Sequence, residues 1–263
     1  MENLKNFVIQ TAKKQKPEFE KIISGFEDRG ILNSEMLAVC AVAEELHVEV
    51  FIESGRWLGQ STEVLSRYFE NKPVLIESVE VFRDENAIHV ENKMKGKKNL
   101  NLLYGDANTI VPALVKKHKG KKIAILFDGP KGSSAIDIFR LALIYSDTVV
   151  AGFFHDMRKP LENMLNGSRA AMEDVFPNSF YTDDEDFVQE FSMLDRNCEV
   201  ALWRPYSIDN KKIGSYGPTI GLTLPTSEDI QKAQMEKFSL LIKTWRRFLF
   251  TLGVKTYHWF CRI

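Results

Sequence analysis

Val48-Glu49-Val50-Phe51-Ile52-Glu53-Ser54-Gly55-Arg56-Trp57-Leu58-Gly59-Gln60-Ser61-Thr62 is the stretch that decides the fold. A β-branched and aromatic run closes on an acid, two glycines bracket a tight turn, and a helix pattern follows. That order is the sequence image of a first βα turn in an open α/β sheet, where ligands bind beyond the carboxyl ends of the strands. Gly55 permits a sharp bend and a close ligand approach. Gly59 permits the helix to pack close to the strand. The pair exposes amide N–H groups at a helix N-terminus, suited to a carboxylate or phosphate. Two glycines also serve a turn that binds nothing.

Outward from this turn, strand and helix patterns alternate. Strands are expected at Val74–Ile76, Leu100–Tyr104, Ile123–Phe127 and Thr148–Phe154, and helices at Gly59–Tyr68, Asp84–Met94, Ile110–Lys117 and Ala135–Tyr145. Such alternation predicts an α/β fold: a Rossmann-like, doubly wound, mostly parallel sheet with helices on both faces. Residues 2–28 read as helix, with Pro17 opening a second segment. Asn33 or Ser34 can cap a helix through Met36, Leu37, Val39, Val42 and Leu46. After Phe154 the rhythm breaks. A helical excursion is expected over 157–176, a solvated helix start at the acidic cluster 183–186, and an antiparallel edge pair from Val200–Trp203 and Thr219–Leu224. Turns fill Asp209–Pro218 between them. The expected organisation is a helical N-terminal cap (1–46), a core (47–226) and an amphipathic helical C-terminal extension (227–263).

In that extension Phe238, Leu241, Trp245, Phe248, Leu249 and Leu252 fall at helical spacing, with Lys237, Lys243, Arg246 and Arg247 largely elsewhere around the helix. One reading packs the helix on its own domain or on a second subunit, as in a homodimer. The other rests a basic helix on anionic lipid. Trp259 and Phe260 fit either.

The chain has 263 residues, 44% of them hydrophobic, enough for one sizeable domain with elaborations or two small ones. A net charge of −1 gives no global reason to expect a nucleic-acid partner. Cys40, Cys198 and Cys261 form no metal-ligand spacing and no evident disulfide set, which points to a reducing compartment. Met1–Lys5 has no signal-peptide core, and no apolar run approaches the roughly 20 residues of a spanning helix. A cytoplasmic location is expected, at the inner face of a membrane if the lipid reading of the tail holds.

Glu53 sharpens the ligand. An acid at the end of a buried strand needs a partner. It repels phosphate and suits an amino or sulfonium group. Dinucleotide sites usually carry three glycines here, whereas Trp57 stands at the middle position. The pocket therefore favours a positively charged cofactor without a pyrophosphate, a description S-adenosylmethionine fits. Glu80, 27 positions after Glu53, is expected in the strand-to-helix loop, where an acid can hold two ribose hydroxyls. Glu77 competes for that role, and a surface carboxylate is the bland reading of either. Asp106, in Gly105-Asp106-Ala107, can accept from an adenine amino group or simply cap the next helix.

Phe127-Asp128-Gly129-Pro130-Lys131-Gly132 ends the fourth strand, and the fifth delivers His155-Asp156. Asp128 and Asp156 could share a divalent metal such as Mg2+. Lys131 or His155 could take a proton from a substrate hydroxyl. The competing reading is a loop network in which Lys131 neutralises both acids.

Together these residues resemble the class I S-adenosylmethionine-dependent methyltransferases, and more narrowly the small-molecule O-methyltransferases typified by catechol O-methyltransferase. They also resemble the cephalosporin-hydroxylase-like and sugar O-methyltransferase branch. The likeness spans about Val48 to Met157. It implies that Glu53, Gly55, Trp57, Gly59 and Ser61 form the glycine-turn motif, with Ser61 helping to hold the methionine carboxylate. It further implies a ribose-binding Glu80, an adenine segment at Asp106 and Ala107, a metal-binding Asp128 with Lys131 as base, and a second metal acid at Asp156. Met157 stands where metal-dependent members often carry Asn or Asp. The implied reaction is methyl transfer from S-adenosylmethionine to a hydroxyl of a small molecule or glycan. The rival readings are a non-catalytic binder of that nucleoside and a hydroxylase-like relative.

Overall fold

Five apolar runs build the centre of a computed structural model that describes residues 2–24, 30–157, 168–195, 206–208, 211–213 and 219–247. They are β1 (Val50–Ser54), β2 (Leu75–Glu80), β3 (Leu100–Tyr104), β4 (Ile123–Phe127) and β5 (Val149–Phe154). All pair in parallel, in the order β3-β2-β1-β4-β5. The crossovers are α3 (Gln60–Tyr68), α4 (Glu85–Lys93), α5 (Ala107–Lys117) and α6 (Ser133–Tyr145). The chain winds outward from β1 in both directions, so the sheet is the expected Rossmann-like one.

Covering helices explain why these strands read as continuous apolar runs. Phe51, Ala124, Leu126 and Phe153 point into a core shared with α1 (Glu2–Ile23), α2 (Asn33–Glu45) and α3. Their neighbours Val50, Ile52, Ile125 and Phe127 point the other way, into a core shared with α5, α6 and α7 (Ser168–Val175).

Several expectations need correction. Pro17 lies inside one continuous α1 and opens no second segment. Neither Asn33 nor Ser34 caps α2. Leu32 takes that position, its N–H donating to Glu35 at 2.8 Å, while the Ser34 N–H and hydroxyl donate to Asp195 at 2.8 and 2.6 Å. The acidic cluster is only partly solvated: Asp183 is buried against Arg169 at 2.8 Å, and Asp184 caps α8 (Glu185–Phe191) while pairing with Lys5. The edge pair also differs. β9 (Gly221–Thr223) runs antiparallel between β5 and the two-residue β6 (Phe180–Tyr181). Val200–Trp203 lies outside the described residues. Within the stretch expected to be turns, β8 (Lys211–Ile213) pairs with β7 (Tyr206–Ile208). Of the excursion after Met157, the described part is the loop-side residue Met157 and the helix from Ser168.

The tail begins with α9 (Ser227–Met235) and continues helically over residues 237–247, here α10. Ala233, Leu240 and Thr244 are buried. Arg140 pairs with Glu236 at 2.9 Å and Asp137 with Arg247 at 2.8 Å, fixing the tail to α6. The packing face is thus not the one the sequence pattern marked, because Phe238 and Trp245 are exposed. Phe248, Leu249, Leu252, Trp259 and Phe260 lie outside the described residues. Among those described, no helix is long and apolar enough to cross a membrane.

Candidate active site

The site is assembled where the parallel strands end. β1 closes at Ser54 and the chain turns through Gly55, which adopts φ +87°. A Cβ there would collide with the Gly129 nitrogen and stand 2.8 Å from the Asp128 carbonyl carbon. The turn after β1 therefore packs directly on the turn after β4, and only glycine permits it. Between them and the turns after β2 and β3 lies a cleft of about 250 Å3. Ser54, Gly55, Val79, Glu80 and Val81 form one wall; Gly105, Asp106, Ala107, Asn108, Gly129 and Pro130 complete it.

Glu80 is the last residue of β2, closing the second strand before the loop to α4, and that strand runs four residues beyond Ile76. Its Oε2 accepts the N–H groups of Arg56 at 3.2 Å and Trp57 at 2.9 Å, and its Oε1 accepts that of Val81 at 2.6 Å. A carboxylate offers about four lone-pair sites, so these three bonds fix the group and leave about one site for a ligand hydroxyl. Glu77 is excluded from the cleft. It sits mid-strand, fully buried, accepting from Asn101 at 3.1 Å and pairing with Lys117 at 2.8 Å and His118 at 2.7 Å. Asp106 caps α5 through Oδ1, which accepts from the Asn108 N–H and Nδ2, each at 2.7 Å; it also lines the cleft. Capping and ligand contact are therefore not alternatives.

Glu53 is placed otherwise than expected. It is fully buried behind the turn and is not among the cleft-lining residues. Its partners are hydroxyls of the chain itself: Ser61, Thr62 at 2.5 Å and Ser78 at 2.6 Å. Burial raises its pKa, against the pull of those three donors. The acid at the strand end thus meets its need for a partner inside the protein, and it holds the start of α3 to β1 and β2. Ser61 is committed to that contact, Gly59 faces Val90, and Trp57 is exposed with its side chain off the cleft lining.

Asp128, Lys131, His155 and Asp156 do converge, beside Gly129 and Pro130 of the cleft. Lys131 bonds Asp128 and stands 2.8 Å from Asp156; His155 Nδ1 lies 2.6 Å from Asp128 and 3.1 Å from Lys131 Nζ. Asp156 adopts φ +63° at this junction. Burial would raise the Asp128 pKa, but the contacts with His155 and Lys131 hold it below the usual carboxylate value. Burial would likewise lower His155, yet Asp128 and Glu35 hold it above the ordinary histidine value. The exposures divide the cluster: Lys131 (41%) and Asp156 (42%) face outward, whereas His155 (7%) lies behind them.

Glu35 escaped the sequence reading. It is buried at the start of α2, 3.8 Å from His155 Nε2, which is itself buried without a hydrogen-bond partner among the described residues. Burial pushes Glu35 up to about 7 against the pull of His155. Arg56 was also passed over. It is buried in the glycine turn, donates to the carbonyls of Ser78 at 2.8 Å and Leu103 at 3.1 Å, and stacks over Tyr104. An acid and an arginine inside apolar-rich segments were the available signals for both.

Asp128, His155 and Asp156 present three donor atoms within 4.8 Å of one another, a set compatible with one cation. Lys131 already contacts both carboxylates, and Met157 is buried, so no further oxygen ligand comes from that position. A divalent ion and the Lys131 ammonium compete for the same oxygens. The chain itself supplies the positive charge that the two acids need.

No family model and no curated protein matches this sequence. Some solved structures are similar to it. The O-methyltransferase TomG from Streptomyces achromogenes, involved in tomaymycin synthesis and crystallised with SAM, is 16% identical, covers 84% of this chain and 90% of its own, and superposes with a TM-score of 0.46. The O-methyltransferase from Bacillus cereus in complex with SAH is 14% identical, covers 82% and 91%, and gives 0.43. At these identities and TM-scores the likeness carries no argument about function.

Proposed function

We propose that this protein transfers a methyl group from S-adenosylmethionine to a hydroxyl of a small molecule, with a glycan hydroxyl as one such acceptor. The observation that carries the reading is Glu80. It closes β2 inside the cleft, is fixed by three backbone N–H groups, and retains about one lone-pair site for a ribose hydroxyl. Asp106, Ala107 and Asn108 line the same cleft where an adenine would lie, and the Gly55 turn borders it where the methionine portion would lie.

When bound, the sulfonium supplies an electrophilic methyl carbon and a neutral thioether leaving group. Such a sulfonium would let an acceptor oxygen take the methyl carbon while sulfur kept the electron pair of the C–S bond. Most of the acceleration comes from aligning the two partners. Lys131 is the better placed of the two candidate bases, because His155 is buried behind it. Lys131 takes the hydroxyl proton across its exposed flank. The ammonium so formed stays paired with Asp128 and Asp156. His155 holds Asp128 in place from the interior.

Titration calorimetry tests the reading. Wild-type protein should bind S-adenosylmethionine, and Glu80→Ala should weaken it at least about tenfold, as expected for loss of a charge-assisted hydrogen bond. Undiminished binding in that variant would remove the ribose assignment. Preference for a pyrophosphate-containing nucleotide would remove the reading altogether.

A further inference from the structure

We propose that the outward face of α9 and α10 seats on an anionic lipid surface. Met235 (87% exposed), Phe238 (78%), Ile242 (38%) and Trp245 (61%) follow one another at steps of three, four and three residues. At about 100° per residue they form a single stripe along the tail. The stripe is held outward by construction. Ala233, Leu240 and Thr244 bury the opposite side, and the ion pairs Arg140–Glu236 and Asp137–Arg247 fix the rotation of the helix on α6. Exposed patches of this kind on a folded domain mark contact sites.

Charge decides the occupant. From Lys237 to Ile263 the sequence carries six basic residues and no acid; the preceding 236 carry all 36 acids and the other 29 basic residues, a net −7. On the helix, Lys243 and Arg246 flank one side of the stripe and Lys237 the other, all exposed. Long cationic side chains beside an apolar stripe can reach headgroups while the apolar groups enter the boundary layer. A second copy docked through the same stripe would bring two such cationic sets together, since a two-fold interface apposes identical patches. An anionic bilayer removes that repulsion and attracts each cation near its surface.

Direction adds a consequence. Glu236 pairs with Arg140, whereas Arg247 pairs with Asp137, one turn nearer the start of α6 at Ser133. The Arg247 contact thus lies near the end of α6 that follows the turn after β4, at the edge where the cleft lies. The lipid inference stands whether or not that cleft takes S-adenosylmethionine.

Flotation of the full chain tests it, using vesicles of phosphatidylcholine alone and vesicles with about 30% phosphatidylglycerol. The protein should float with the anionic vesicles, stay behind with the neutral ones, and be released near ~0.5 M salt. Phe238→Ser with Trp245→Ser should keep the wild-type Tm, since neither side chain is in the core, and lose roughly tenfold in binding. Lys243→Glu with Arg246→Glu should lose a comparable amount without touching the stripe. No flotation, equal flotation with neutral vesicles, or flotation unchanged by both double variants overturns the proposal. A dimer in sedimentation equilibrium that the Phe238→Ser, Trp245→Ser variant dissolves, without flotation, reassigns the stripe to a second copy.

Discussion

Two clusters in this molecule combine acid, lysine and histidine, and they differ in where the sheet puts them. Glu77, Lys117 and His118 meet halfway along β2 against α5, with Asn101 closing the set. Glu77 is fully buried, and its pKa lies below the usual carboxylate value: burial opposes this, but Lys117, His118 and Asn101 prevail. Asp128, Lys131, His155 and Asp156 meet past the ends of β4 and β5, beside a cleft, with two members open to solvent. The same side chains staple a helix to a strand in one place and present reactive groups in the other. Residue type does not separate them; position along a parallel strand does, because only strand ends leave room for a ligand.

The largest effect that would sharpen this contrast is on turnover. Lys131→Met should lower kcat by about 10^3-fold, within the range for losing a general base, while S-adenosylmethionine affinity and Tm stay near wild type. A loss of Tm with turnover intact would place Lys131 with the staples, and near-normal turnover would move the base to His155.

Next comes the interior side of the open cluster. The folded-state pKa of Glu35 is raised from 4.5 to about 7, so between those values the native protein binds more protons than the unfolded chain. Stability should therefore fall as pH rises through that window, by on the order of 3 kcal/mol in total. His155, also raised, loses its contribution in the same direction as pH passes its folded value. Denaturant unfolding of Glu35→Gln at pH 5 and pH 8 checks this; a slope equal to the wild type's would show that Glu35 does not titrate in the window.

The closed cluster should answer in the opposite sense. Glu77 is held low, so its contribution is present at neutral pH and lost as pH falls below about 4.5 toward its folded value. Glu77→Ala should cost about 2–3 kcal/mol at pH 7 and progressively less as pH falls below about 4.5, with nucleoside affinity unchanged. A variant that bound S-adenosylmethionine poorly would break the separation of the clusters. The smallest effect is expected from His118→Gln, about 1 kcal/mol in unfolding experiments, since the new amide can still donate to Glu77.

Legibility followed the same division. β3 and β4 were read at their observed bounds, because a run of apolar residues with polar punctuation at each end has few other fates in an alternating chain. β2 was cut short at Ile76, because Glu77 and Ser78 look like the end of a strand. They remain inside it only through partners remote in sequence: Lys117 and His118 for Glu77, Glu53 for Ser78. β6 was missed because two residues leave no period to read, and its partner β9, which joins it to β5, lies 39 intervening positions away. Glu35 was invisible because nothing near it in sequence shows that its carboxylate will face His155.

By itself the sequence determined the doubly wound sheet, the glycine turn and the convergence of Asp128, Lys131, His155 and Asp156 at one edge. Local periodicity and strand order suffice for these, since consecutive parallel strands must end on the same side. Only the tertiary structure decided that Glu80 faces a cleft while Glu53 is caged by hydroxyls, that Glu77 belongs to a staple, and that the tail turns Phe238 and Trp245 outward. Burial and the choice of partner arise from contacts between segments far apart in the chain, and a carboxylate or an aromatic ring carries no local mark of the neighbour it will meet.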